Sequence, residues 1–88
     1  PDRVSGKALD NRVACAVLVK LAEHLSGEPL SCTLYLVVTV QEEVGLRGAR
    51  MAAHRVNPTA AIVVDTVPSG GTPDVDYHRD LRMRIGDG

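Results

Sequence analysis

Thr33-Leu34-Tyr35-Leu36-Val37-Val38-Thr39-Val40 is rich in β-branched residues and carries apolar side chains on both faces of an extended chain. A strand with two apolar faces belongs inside a layered α/β sheet, where helices cover it from either side. Ala60-Ala61-Ile62-Val63-Val64 repeats the pattern and reads as a second strand buried on both sides. Between the two, Arg47 to about Arg55 is rich in Ala and Met and reads as a short helix that Asn57-Pro58 ends. Upstream, Ala14, Val17, Leu18, Leu21 and Leu25 recur at helical spacing while Arg12, Lys20, Glu23 and His24 share the opposite side. Asp10 and Asn11 are good capping residues for the start of this helix, and Ser26-Gly27 with Pro29 beyond marks its end. Downstream, Pro68 to Pro73 is turn-rich, and Leu81, Met83 and Ile85 alternate with Arg82 and Arg84 as in a half-exposed strand near an edge. The order helix, strand, helix, strand, loop, strand predicts an α/β sandwich with parallel neighbouring strands.

The chain has 88 residues, 44% hydrophobic and 24% charged, a composition of soluble globular proteins and not of disordered or fibrous ones. Two Tyr, no Phe and no Trp leave the core to Val, Leu, Ile and Ala. A core that thin suggests a part of something larger. The net charge of -1, without a basic block or aromatic residues for base stacking, argues against nucleic acid as a partner. Apolar runs such as Val13 to Val19 fall short of a membrane span, and no export signal opens the chain. Cys15 and Cys32 stand apart in apolar stretches and read as two reduced, buried thiols of a cytosolic protein.

Ligands of open α/β sheets bind beyond the carboxyl ends of the strands. The first strand runs into Gln41-Glu42-Glu43 and the second into Asp65, while Asp10 stands at a helix start that a preceding strand would deliver to the same edge. Carboxylates grouped in this way raise one another's pKa, and a divalent cation removes the repulsion. Two metals bridged by one carboxylate form the clamp of hydrolytic dinuclear sites, where a spare carboxylate takes the proton of the attacking water. Glu42 and Glu43 suit that division, because adjacent side chains leaving a strand point in different directions. By position alone each residue also has a plainer role. Asp10 reads equally as a helix cap, whereas in isolation Glu42-Glu43 reads better as a solvated turn and Asp65 better as the start of the turn at Pro68. His24 and His54 read as surface residues, and His78 sits in a loop among Asp74, Asp76 and Asp80.

Three motifs carry a resemblance. Gly6-Lys7-Ala8-Leu9-Asp10-Asn11-Arg12, Thr39-Val40-Gln41-Glu42-Glu43-Val44-Gly45-Leu46-Arg47-Gly48-Ala49 and Ala61-Ile62-Val63-Val64-Asp65 closely resemble the glutamyl-aminopeptidase family of dinuclear metallopeptidases, which includes the tetrahedral and deblocking aminopeptidases. The resemblance covers nearly the whole chain. It implies a three-layer α/β/α sandwich with a mainly parallel mixed sheet, of which residues 1–88 form a fragment of a single catalytic domain. By the same resemblance, Asp10 looks like the carboxylate that bridges two metals, and the Asp10-Asn11 bond matches a peptide that is typically cis. Glu42 looks like the general base that activates a metal-bound water, and Glu43 and Asp65 like the terminal ligands of one metal each. The implied metals are zinc or cobalt, and the implied reaction is removal of N-terminal residues from peptides by a cytoplasmic homo-oligomer.

The family supplies each metal with a His as well, one far upstream and one far downstream of these motifs, and His24, His54 and His78 fall at neither place. The resemblance therefore implies the central piece of the catalytic domain, following an inserted β domain used for assembly, and inactive by itself. Two alternatives accompany this reading. One is a non-catalytic structural fragment or interaction module. The other is a related dinuclear hydrolase acting on a different substrate, as a carboxypeptidase, a deacylase or an enzyme carrying a glycan-hydrolase label.

Overall fold

Good helix formers (Ala14, Ala16, Leu18, Lys20, Leu21, Ala22 and Glu23) drive the first element, α1, over Leu9–Leu25 in a computed structural model that describes residues 3–70 and 74. Its first residues are irregular. Ala8 is left-handed, Asp10 (φ -83°, ψ 108°) and Asn11 (φ -122°, ψ 58°) are non-helical, and regular helix runs from Arg12. The Asp10-Asn11 peptide is cis, as the resemblance implies. At the other end the Ser26 N–H donates to Glu23 O at 3.3 Å and the chain leaves through Gly27 at φ +84°, a conformation that glycine adopts without steric cost. Along α1, Asn11, Cys15, Leu18 and Leu25 are half-buried around Ala14, which is buried at 8% exposure. Val17 and Leu21, expected on the inner face, are exposed, so the covered stripe is rotated toward Asn11. On the outer side Lys20 Nζ donates to Glu23 Oε2 at 2.7 Å, an exposed pair of little energetic weight.

The second element, α2, spans Arg47–Val56 and ends at left-handed Asn57, as expected of the Asn57-Pro58 pair. Its start has no side-chain cap: the N-cap position is Leu46, itself left-handed. The first N–H groups of a helix have no partner within it. Here the preceding chain supplies them, with Arg47 N–H donating to Gln41 O (3.2 Å) and Gly48 N–H to Val40 O (3.0 Å). Gly45 and Leu46 N–H both donate to Glu42 O, so residues 40–48 close into one tight reversal. Gly48 permits the approach, since a Cβ there would lie 2.6 Å from Val40 O and 2.7 Å from Val40 N.

The two apolar segments form no strand ladder among the described residues, and α1 and α2 do not touch each other. Burial on both faces was expected for both segments; instead Leu34 to Val38 and Val40 are exposed, and Ile62 and Val63 reach 94% and 86% exposure. The reason is a lack of cover: Ala14 is the one buried hydrophobic residue among those described. The Cα radius of gyration, 16.1 Å, exceeds the roughly 12 Å of a compact domain of this length. Cys15 is half-buried and Cys32 exposed, so the expected burial fails for Cys32. The edge strand at Leu81 to Ile85 and His78 with its neighbouring acids lie outside the described residues, apart from Asp74.

An alanine in an exposed helix is ordinarily better than glycine by about 0.5–1 kcal/mol, whereas forcing atoms into a filled space costs about 1–3 kcal/mol. At Gly48 the clash is with backbone, so Gly48→Ala should destabilise the full-length protein by about 1–2 kcal/mol. Urea unfolding should show a lower midpoint at unchanged slope; a raised midpoint would mean that Val40 moves aside freely.

Candidate functional site

Asn11 sits at the N-cap of the regular part of α1, and its Oδ1 accepts the Ala14 N–H at 2.9 Å. The same carboxamide donates from Nδ2 to Asp65 Oδ1 at 2.5 Å and to Val64 O at 3.3 Å. An amide has one acceptor oxygen and one donor nitrogen, and these partners leave a single consistent orientation. The start of α1 is thereby joined to the end of the second apolar segment. Asp65 Oδ1 also accepts the N–H of the next residue, Thr66, at 2.8 Å. Asp65 Oδ2 takes no hydrogen bond among the described residues.

Asp10 precedes Asn11 and is exposed. Its side chain makes no hydrogen bond among the described residues, so the cap of α1 belongs to Asn11 and the carboxylate of Asp10 is left free. Asp10 lines an open groove of about 420 Å³ with Leu9, Thr66, Val67 and Pro68. Of the four carboxylates singled out by the sequence, Asp10 lines this groove, and Asp65 directly precedes its lining residue Thr66. Glu42 and Glu43 are exposed in the reversal at 40–48, where the backbone carbonyl of Glu42 receives two N–H groups. No hydrogen bond among the described residues ties these two side chains to Asp10 or Asp65. His24 and His54 are exposed on the helices, as expected.

The oxygens of Asp10 and the free Oδ2 of Asp65 are hard donors suited to a divalent cation such as zinc or magnesium. In donor type these two carboxylates fit such an ion. In donor number they fall short, since no group of three His, Cys, Asp or Glu side chains is placed to hold a metal ion among the described residues. No helix among the described residues is long and apolar enough to cross a membrane.

Two residues of the arrangement carry more than their local pattern suggests. Asn11 reads from sequence as a cap, and only its unused Nδ2 hints at a second partner. Gly48 reads as an ordinary weak spot in a helix, although it is the point where α2 meets Val40. Because Asn11 caps and Asp10 does not, Asn11→Ala should cost about 1–2 kcal/mol and Asp10→Ala about 0.5 kcal/mol at most in the metal-free protein. Equal losses in chemical denaturation of the two variants would return the cap to Asp10.

Residues 1–88 match the M42 glutamyl aminopeptidase family over the whole chain. The "Putative aminopeptidase FrvX" of Escherichia coli strain K12 is 45% identical over 87 residues, covering 99% of this chain and 24% of that protein. A "Putative aminopeptidase" of Acetivibrio thermocellus is 51% identical over 73 residues, covering 83% and 22%. The glutamyl aminopeptidase of Lactococcus lactis subsp. cremoris strain MG1363 is 38% identical over 85 residues, covering 97% and 22%. The chain thus spans about a quarter of the length of the curated relatives it matches. No solved structure matches it. M42 peptidases are generally metal-dependent, and a match running from the first residue to the last means that the chain belongs to the M42 glutamyl aminopeptidase family.

Proposed function

We propose that the full-length protein is a metal-dependent aminopeptidase that removes N-terminal residues from peptides, with Glu42 as general base and Asp10, Glu43 and Asp65 as ligands of two divalent ions, zinc or cobalt. The observation that carries the reading is the junction at Asn11, whose Nδ2 donates to the Asp65 carboxylate while the preceding residue, Asp10, lines a groove with Thr66. Membership of an aminopeptidase family supports the same reaction. In this reading residues 33–40 and 60–64 are parallel strands of a three-layer α/β/α sandwich. The protein acts in the cytoplasm as a homo-oligomer on peptides.

Asp10, Glu43 and Asp65 would hold the two ions. When bound, the ions bring the pKa of water toward neutrality and polarise the scissile carbonyl. Glu42 takes the proton of the attacking water and returns it to the departing amine. Its place next to Glu43 lets a base and a ligand arise from consecutive residues. The reversal at 40–48 engages the backbone carbonyl of Glu42, and neither glutamate side chain has a hydrogen-bond partner among the described residues. Val67 and Pro68 give the groove an apolar wall beside Asp10.

In the full-length enzyme Glu42→Gln should lower kcat on a short peptide by about 10²–10⁴-fold with metal content unchanged. Wild-type turnover in that variant would remove Glu42 from the base role.

A second reading applies to the 88 residues taken alone, and their exposed valines favour it. Apolar segments without cover associate with whatever completes their sheet. On that reading the isolated chain is a structural part of the enzyme, binding zinc weakly or at a single site and hydrolysing no peptide. Two tight sites in a calorimetric zinc titration, or turnover of an aminoacyl chromogenic substrate, would overturn it.

A further inference from the structure

We propose that Asn11 is a positioning residue for Asp65, holding one carboxylate oxygen so that Asp65 binds its ligand ion through Oδ2 alone. The proposal rests on the reading of Asp65 as a metal ligand. A free aspartate can rotate about two side-chain bonds and can offer an ion one oxygen or both. Here Oδ1 already accepts two donors, Nδ2 of Asn11 at 2.5 Å and the N–H of Thr66 at 2.8 Å. Those two bonds use the lone pairs of Oδ1 and fix the carboxylate plane, so the unoccupied donor atom is Oδ2. The second Nδ2 contact, to Val64 O at 3.3 Å, anchors the backbone just before Asp65 and resists a compensating shift of the segment. Asn11 is held in turn from α1, because its Oδ1 is committed to the Ala14 N–H. The orienting group is therefore itself oriented, which is how hydrogen-bonded neighbours tune metal ligands.

The two roles of Asn11 separate chemically. Serine is as good an N-cap acceptor as asparagine, but its hydroxyl sits on Cβ and stops short of Asp65. In the full-length protein, Asn11→Ser should keep the wild-type unfolding midpoint when metal-free and lose zinc affinity at one of two sites by about 10–100-fold, read by competition with a chromophoric chelator. In the cobalt-loaded protein the released Oδ1 should join the ion, raising its coordination number and weakening the visible absorption bands. Asn11→Ala should show the same loss of affinity together with a lowered midpoint. Unchanged zinc affinity and an unchanged cobalt spectrum in Asn11→Ser, while Asp65→Asn loses a site, would reduce Asn11 to a cap and overturn the proposal. If Asp65→Asn keeps both sites, the ligand reading of Asp65 falls and the positioning role falls with it.

Discussion

A single carboxamide, that of Asn11, makes the described residues into more than two helices and their connections. It joins positions 53 and 54 residues apart in the chain. Closing a loop of that length costs roughly 3.5 kcal/mol before any fixed constant, whereas each hydrogen bond returns about 1 kcal/mol net. Two contacts at Asn11 do not offset the closure. The balance has to come from apolar burial, of which these residues contain little beyond Ala14. The junction at the candidate site thus depends on apolar cover that the described residues do not supply.

The reversal at 40–48 solves a different problem by a different means. A helix start needs acceptors for its first N–H groups, and Leu46 can offer none from its side chain. The carbonyls of Val40 and Gln41 serve instead, which fixes α2 against the end of the first apolar segment. Glu42 and Glu43 follow within the same reversal, the Glu42 carbonyl engaged and both carboxylates without a hydrogen-bond partner among the described residues. Local stability and availability for chemistry are reconciled because the main chain does the holding.

The helices were legible from their own residues. The 3.6-residue periodicity of α1, its exit through Ser26-Gly27 and the stop of α2 at Asn57-Pro58 are local signals, and the structure follows them. The strands were less so. Val37, Val38, Ile62 and Val63 describe segments that want burial, but a strand exists only with a partner to pair with, and the described residues hold none. Asp10 shows the same limit at the site: beside Asn11, either residue could have capped the helix, and only the hydrogen bond from Ala14 N–H to Asn11 Oδ1 separates the two.

By itself, then, the order of residues determined the two helices, their ends, the motif wording that identifies the family and the four carboxylates to be watched. Tertiary structure alone decided that Asn11 reaches Asp65, that Gly48 must lack a side chain, and that Asp10 keeps its carboxylate uncommitted. Helix propensity and capping act over a few neighbouring residues and leave a periodic trace. A contact between Asn11 and Asp65, or between Gly48 and the Val40 backbone, depends on where the chain returns in space, and no local pattern records that.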